Sequence, residues 1–263
     1  MCIAYLSLGA HPDWPLLIAA NRDEYHARPA LPARPWPESP QVIAGRDLSA
    51  GGTWLGLNQN GRWGLLTNFR DPASHRDEVL SRGSLVSDFL HSGETARKYT
   101  EYVHSRAGHY NGFNLIVGEG PNAWYVGNHA ACTGPVLLQP GRYALSNHAL
   151  DTPWPKVERL RNHLDAALPQ GRTLALDSIY EALRDGEPAQ DHALPNTGVS
   201  LEMERLLSSI FIVSPNYGTR CSTIIALDAQ GDGIFSETSY NPAGMPVERH
   251  DWPLHVSMQS GGL

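Results

Sequence analysis

The sequence predicts an α+β fold in which antiparallel sheets carry helices on their outer faces. Three observations support this class: strand-length apolar runs occupy both ends of the chain, helical periodicity is confined to its middle, and turn residues join consecutive strands. Strands joined by tight turns pair antiparallel. Helices grouped between two sets of strands bury their apolar stripes against a sheet face.

The first elements are predicted to be strands. Residues 3–8 and 16–20 are apolar runs, and their connector holds one glycine and two prolines. The proline-rich segment 28–40 is expected to be an irregular loop. Residues 53–57 and 63–68 are predicted to form a hairpin around Asn60-Gly61, a strong turn signal. Residues 113–117 and 123–126 repeat this pattern.

Helices are predicted in the middle of the chain and strands again after it. Residues 79–90 carry a helical apolar stripe, and a second helix is expected to begin with Thr152 as cap and Pro153 in the first turn. Further helices are predicted at 176–183 and 201–207, and strands at 210–213, 223–227 and 234–238. We expect a single domain over 1–256 and a flexible tail over 257–263.

Composition limits the classes of partner. The formal net charge is −7 and the pI is about 5.9, which argues against a general nucleic-acid binder because such proteins need a basic face. Three cysteines suggest reduced thiols rather than a disulfide framework. The chain shows no basic leader and no apolar run of membrane-spanning length, so we expect a cytoplasmic protein without a membrane span.

Metal and phosphate motifs give no positive signal. The sequence has neither HExxH nor Cys-x-x-Cys, so we expect no metal and no cofactor. The glycines of 49–53 (SAGGT) are not followed by GKS or GKT. They are therefore interpreted as positions of tight backbone packing.

The second residue of the chain, Cys2, is a candidate nucleophile. Methionine aminopeptidases cut before small residues such as cysteine, and removal of Met1 would leave a thiol and a free α-amine on one residue. The amine, with a pKa of roughly 8, can then act as the base of the thiol. The alternative is a cysteine that stands at position 2 by chance.

Four polar residues, Asn21, Arg22, Asp23 and Glu24, follow the second predicted strand directly. At a strand end they can line a cleft, where an arginine would favour a thiolate and a carboxylate could orient an amine. The alternative is a polar turn with a weak surface ion pair.

Two further residues are weaker candidates for the cleft. Trp54 is either a core residue or a cleft wall suited to an apolar ligand. His148 is singled out only because it neighbours Asn147 in the sequence.

Long ordered motifs carry a family resemblance. The sequence begins MCI and continues with LLIAANRDEYHARPALPARPW, GRDLSAGGTWLGLNQNGRWGLLTNFRD, ALSNHALDTPWPKVERL and SSIFIVSPNYGTRCSTII. From residue 1 to about 240 the chain resembles the NRDE family, also called the transport and Golgi organisation 2 family. The resemblance implies an N-terminal nucleophile hydrolase-like fold, a four-layer αββα sandwich of two antiparallel sheets between helix layers.

The same resemblance implies roles similar to those in cysteine acylases of that fold. Cys2 matches their nucleophile and Asp23 their acidic residue after the second strand. Asn68 and Asn147 match two asparagines, of which Asn147 would help to bind the oxyanion, and Arg220 matches a late arginine. The acylases also carry an arginine three residues before the aspartate, where this chain has Ala20.

Two functions follow from the resemblance. One is hydrolysis of an amide or thioester of an acyl-bearing substrate by Cys2. The other is a non-catalytic protein that binds or transports a small hydrophobic ligand, either an acyl-lipid, acyl-coenzyme A or haem, with Arg22 or Arg220 pairing a carboxylate of the ligand. Ala20 favours the second function, and the oligomeric state stays open.

Overall fold

The computed structural model describes residues 2–168 and 171–257. Of the expected tail, residues 258–263 lie outside this description. The strands are β1 Cys2–Leu8, β2 Leu16–Tyr25, β3 Ala30–Trp36, β4 Ser39–Asp47, β5 Leu55–Asn58, β6 Arg62–Asn68, β7 Phe113–Glu119, β8 Asn122–Gly127, β9 Val136–Leu138, β10 Gly141–Leu145, β11 Tyr217–Leu227, β12 Asp232–Tyr240 and β13 Pro246–His255. The helices are α1 Ser84–His91, α2 Ala96–Ser105, α3 Pro155–Ala167, α4 Leu176–Leu183 and α5 Leu201–Leu206. Within the described residues, no helix combines the length and the apolar character that a membrane span requires.

The strands form two sheets, and neighbouring strands in both are antiparallel. The first sheet has the order β10-β1-β2-β11-β12-β13 and the second runs from β3 to β9 in sequence order. An apolar core lies between the sheets. Helices α3 and α4 cover the outer face of the first sheet, and α1 and α2 cover that of the second. The predicted αββα layering is confirmed.

The alternation of side chains along β2 positions the candidate site. Ile18 and Ala20 belong to the core between the sheets, whereas Leu17 and Ala19 pack under the helices. Because successive side chains of a strand point to opposite faces, the next inward residue is Arg22. Asp23 then points to the helix-covered face.

Several predicted elements are confirmed. The hairpin around Asn60-Gly61 joins β5 to β6, and Gly61 has the left-handed backbone that this turn needs (φ 72°). Strands β7 and β8 contain the predicted runs, as do β11 and β12, and α4 coincides with the predicted 176–183. Helix α5 ends one residue before the prediction.

The prediction of an irregular loop over residues 28–40 is wrong, because residues 30–36 form strand β3 and residues 39 and 40 begin strand β4. β3 lies at the edge of its sheet, where a proline can sit without breaking a ladder on both sides. Register shifts between Leu31 and Arg34 and between Pro35 and Trp36 absorb the irregular backbone.

The predicted strand at 210–213 is also wrong. Ile210, Phe211 and Ile212 are buried, but the backbone N–H groups bond to scattered acceptors, that of Phe211 to the Asp185 carbonyl and that of Ile212 to the Thr219 hydroxyl. The apolar run is therefore buried by packing rather than by sheet pairing, which sequence periodicity cannot distinguish.

Two helices begin later than predicted. α1 starts at Ser84 rather than at residue 79, because Leu80 is extended and forms an isolated bridge with Tyr110. α3 starts at Pro155, which takes the first-turn position predicted for Pro153. Helix α2 and strands β9, β10 and β13 were not predicted.

The glycines of the SAGGT segment permit close backbone packing, as predicted. A Cβ on Gly52 would lie 2.4 Å from the carbonyl carbon of Gly83, just before α1, whereas one on Gly51 would meet nothing within 4 Å. The Thr53 N–H donates to the Gly83 carbonyl at 3.2 Å in the same contact. Gly52 thus lets this loop approach the start of α1.

We expect Gly52→Ala to lower the free energy of unfolding by about 3 kcal/mol, because backbone rather than a flexible side chain must move. The matched control is Gly51→Ala, whose left-handed backbone (φ 78°) should cost only about 1 kcal/mol. Urea denaturation followed by tryptophan fluorescence measures both. Equal losses in the two variants would contradict the contact.

Candidate functional site

A cleft of about 390 Å³ opens where the sheets end beside Cys2. Its described lining residues are Cys2, Arg22, Asp23, Glu24, Arg28, Asp47, Ala50, Thr53, Trp54, Leu66, Asn68, Asp77, Val79, Leu80, Ser81, Arg82, Gly83 and Asn111. Charged groups of both signs and uncharged polar groups together make up most of this lining, so the cleft is mainly polar.

Cys2 begins β1 at the base of the cleft. It pairs with Arg22 in the β1–β2 register, and its carbonyl accepts a hydrogen bond from the Ser146 hydroxyl at 3.1 Å. Cys2 is a free cysteine, and the residue as a whole is half-buried. Burial raises the pKa of the Cys2 thiol, and the negative charge of Asp23 adds to this, while Arg22 opposes it. In this state the neutral thiol is favoured, so attack on a carbonyl needs a base.

Arg22 lies on the same sheet face as Cys2 and is held from the second sheet. Its side chain is only 5% exposed, and its Nη2 donates to Asp47 Oδ2 at 3.4 Å. The Trp54 ring lies 4.1 Å from the guanidinium carbon, which is a cation–π contact. Arg28 also donates to Asp47, at 2.6 Å. The guanidinium is thus a fixed positive charge in the cleft wall, and not the exposed ion pair of the alternative interpretation.

Asp23 extends towards the helix-covered face beside the cleft. It is 1% exposed, and its Oδ1 accepts a hydrogen bond from the Thr219 hydroxyl at 2.7 Å. Burial raises the pKa of this carboxyl, whereas the positive charge of Lys156 and the hydrogen bond from Thr219 lower it. The net pKa shift of Asp23 is upward, and Lys156 is one of the positive charges that partly offset the effect of burial.

Lys156 and Arg70 belong to a buried polar cluster beneath Asp23 that the sequence interpretation missed. Lys156 is 2% exposed, and its Nζ has no hydrogen-bond partner among the described residues. Burial, followed by the charge of Arg70, lowers the pKa of Lys156 to about 8, against the pull of Asp23. Arg70 donates to the buried Glu204 at 2.9 Å.

A signal for Lys156 is present in the sequence. The lysine stands four residues before Leu160 and eight before Leu164, in line with the apolar stripe of α3. A charged residue in that line predicts a buried cation, and it lies inside one of the motifs quoted above.

The two candidate asparagines occupy different positions. Asn68, at the end of β6, lines the cleft. Asn147 is fully buried, and its Nδ2 donates to the Asn68 carbonyl at 2.9 Å. Its Oδ1 accepts from the Ser146 hydroxyl at 3.3 Å. The structure therefore brings Asn147 next to Asn68, and links it to Cys2 through the Ser146 hydroxyl, but does not place it in the cleft lining.

Asn21 and Arg220 are not brought to the thiol. Asn21 donates to the carbonyls of Leu183 and Ile210 and is buried under the helices. Arg220 stands at a bulge of β11, and its Nη1 donates to the carbonyls of residues 25, 26 and 28. Both side chains hold neighbouring segments together, and Arg220 in particular ties down the loop that carries Arg28.

Glu24 and His148 lie at the margins of the site. Glu24 lines the cleft, and its Oε1 accepts the Tyr25 N–H at 2.8 Å. His148 lines a neighbouring cavity, where its Nδ1 is 2.9 Å from the Thr152 hydroxyl and its ring packs on Phe69. The cleft itself therefore combines a thiol, a fixed guanidinium and an adjacent buried carboxylate, the groups that nucleophilic acyl transfer uses.

Comparison with solved structures finds chains of similar architecture. A Caenorhabditis elegans ortholog of N-acylethanolamine-hydrolyzing acid amidase is 12% identical, with a TM-score of 0.49 over 85% of this chain and 92% of that one. A mutant of the conjugated bile acid hydrolase from Clostridium perfringens is also 12% identical, with a TM-score of 0.46 over 96% and 92% of the two chains.

Sequence comparison finds closer relatives. The Transport and Golgi organization protein 2 homolog of Bos taurus is 34% identical over 97% of this chain and 99% of its own length. The corresponding homolog of Mus musculus is 33% identical over 91% and 93%. The protein of this name from Drosophila melanogaster is 25% identical over 93% and 95%. The family model described as Transport and Golgi organisation 2 matches residues 1–242. The chain belongs to the Transport and Golgi organisation 2 family.

Proposed function

We propose that this protein is a cysteine hydrolase of the N-terminal nucleophile type, which cleaves an amide or thioester with Cys2. One observation carries the proposal: Cys2 lies in the base of a polar cleft, beside the fixed guanidinium of Arg22 and the buried carboxylate of Asp23. A thiol whose pKa is raised by burial is a poor nucleophile alone. An α-amine on the same residue supplies the missing base.

The proposed reaction begins once Met1 has been removed. The α-amine of Cys2 takes the thiol proton, and the sulfur attacks the substrate carbonyl to give a tetrahedral intermediate. Collapse of this intermediate breaks the C–N or C–S bond, and the ammonium returns its proton to the leaving amine or thiolate. The product is a thioester on Cys2. Water, deprotonated by the amine, attacks this thioester and releases the acid and the free thiol.

Asp23 and Arg22 have separate proposed roles. Because Cys2 pairs with Arg22, the N-terminal end of β1 lies alongside Asp23. The Asp23 carboxylate would therefore orient the α-ammonium of Cys2 that forms during attack. Arg22, whose side chain lies on the same sheet face as that of Cys2, would stabilise the thiolate. It takes the part that the resemblance assigns to the arginine missing at Ala20.

The oxyanion is proposed to form beside Asn68. This residue lines the cleft, and its carbonyl is held by the side chain of Asn147. A hydrogen-bond donor to a developing oxyanion typically lowers the activation barrier by roughly 3–4 kcal/mol. Asn147 and Arg220 would act as positioning residues, the first on Asn68 and the second on the loop that carries Arg28.

We expect the active protein to lack Met1 and to carry the acyl group of its substrate on Cys2. The purified protein would be incubated with short-chain acyl thioesters of N-acetylcysteamine and analysed by intact and peptide mass spectrometry. The expected result is a mass without methionine, plus an acyl increment on the N-terminal peptide. Turnover by a protein that retains Met1, or an adduct on another residue, would contradict the mechanism.

A further inference from the structure

A second cavity, of about 960 Å³, adjoins the Cys2 cleft. The two share Arg82 and Asn111 in their linings. Arg76 and four histidines also line the second cavity: His75, His104, His129 and His148. None of these seven residues is a candidate in the chemistry proposed for Cys2, apart from the peripheral His148. We refer to this space as the side cavity.

The two arginines of the side cavity are anchored by backbone rather than by carboxylates. Arg82 Nη1 donates to the Gly112 carbonyl at 2.9 Å, and Arg76 Nη2 donates to the Tyr110 carbonyl at 2.6 Å. In the part of the chain that the structure describes, neither guanidinium has a carboxylate within 4.0 Å. Their remaining N–H groups can therefore serve a ligand.

Acidic groups do not balance these charges within the side cavity. Asp71 is the one carboxylate among its described lining residues, and its Oδ2 already accepts the Ser74 hydroxyl at 2.6 Å. Glu24 influences Arg82 from the cleft but does not contact it. Two guanidiniums without carboxylate partners favour an anion, since arginine binds carboxylate and phosphate with its planar fork of donors.

Two of the histidines, His129 and His148, form an aromatic wall of the side cavity together with Phe69. Phe69 stacks on His129 at 4.2 Å between ring centres and also packs on His148 at 5.0 Å. Burial, with the nearby charge of His148, lowers the pKa of His129 to about 4, so this ring is neutral at pH 7. Among the described residues, no group of three or more His, Cys, Asp or Glu is arranged to hold a metal ion. The permanent positive charges in the described lining of the side cavity are those of Arg76 and Arg82.

We propose that the side cavity binds the carboxylate- or phosphate-bearing end of the substrate whose scissile bond lies at Cys2. This inference rests on the proposed hydrolase function and adds the substrate class: an amide or thioester that carries an anionic group away from the reacting carbonyl. Arg82, at the junction of the two spaces, and Arg76, inside the side cavity, are the residues that select the anion.

The first test compares turnover of substrates with one acyl group and three leaving parts: neutral, carboxylate-bearing and phosphate-bearing. We expect kcat/KM to be at least about 10-fold higher for one or both anionic substrates, as one lost charged hydrogen bond is worth about 1.5–3 kcal/mol. In Arg76→Gln/Arg82→Gln this preference should fall to within about 3-fold. The control is Arg106→Gln, an exposed arginine outside both cavities, which should keep the preference. A preference unchanged in the double variant would overturn the proposal.

The second test measures binding without turnover, in Cys2→Ala protein. Inorganic phosphate and succinate, titrated separately by calorimetry, distinguish a phosphate from a carboxylate site. We expect saturable binding of at least one, weakened at least about 10-fold in Cys2→Ala/Arg76→Gln/Arg82→Gln. Absence of saturable binding of both probes would overturn the side-cavity proposal even if Cys2 proves to be the nucleophile. If Cys2→Ala protein binds a probe but the wild-type protein has no hydrolytic activity, the anion site is upheld and the hydrolase function is rejected.

Discussion

Cys2→Ala is expected to reduce kcat/KM on an amide or thioester substrate by at least about 10⁴-fold, because loss of a nucleophile in comparable hydrolases removes most of the rate enhancement. The variant keeps the α-amine and the cleft but has no atom that can accept the acyl group. Steady-state assays on the purified protein would measure the loss. Cleavage at a rate within about 10-fold of the wild type would rule out the proposed chemistry.

The chain offers a matched control for this substitution. Cys221 lies on β11 and pairs with Arg22, so strand β2 runs between Cys221 and Cys2. Cys221 is buried and is not part of the cleft lining. Burial raises the pKa of the Cys221 thiol well above its usual range, so it is unreactive. Cys221→Ala makes the same change on the same sheet face and should keep activity within about 3-fold. Equal losses in both variants would point to damage of the sheet rather than to a nucleophile.

The pairing of Cys2 with Arg22 could be predicted from the sequence. Two apolar runs joined by a short connector with breakers predict an antiparallel hairpin, and Leu8 pairs with Leu16 at its closed end. Pairing then continues residue by residue to Cys2 and Arg22. The two-residue periodicity of strands also separates Arg22 from Asp23, one facing the second sheet and the other the helices.

The surroundings of these residues could not be derived in the same way. Asp47 and Trp54 reach Arg22 from the second sheet, and no local pattern encodes a contact between sheets. Arg220 looked like a catalytic arginine from its motif, but a bulge in β11 directs it to loop carbonyls. The prolines of β3 predict a loop when only the sequence is considered. They are tolerated in a strand here because β3 lies at the edge of its sheet. That position depends on the order of strands in the sheet, which no local pattern encodes.

Lys156 is a buried residue near the site that the sequence interpretation missed. Its titration is expected to have a large effect on the free energy of unfolding. In the unfolded chain the Lys156 ammonium has a pKa of about 10.4, whereas burial lowers the pKa of this group in the folded protein to about 8. Below about pH 8 both states are protonated, and the folded state bears the full cost of the buried charge. Between about pH 8 and 10.4 only the unfolded state keeps the proton, so stability rises with pH.

We therefore expect the free energy of unfolding of the wild type, relative to Lys156→Met, to increase by about 3 kcal/mol between about pH 7.5 and 10.5. Using this difference removes the contributions of groups that both proteins share, and urea denaturation at the two pH values measures it. The matched control is Lys98→Met, since Lys98 is the only other lysine of the chain and is exposed on α2. Its difference from the wild type should stay constant to within about 0.5 kcal/mol. If the Lys156→Met difference is equally flat, the ammonium is not buried in the folded protein, and Lys156 is not one of the charges that lower the pKa of Asp23.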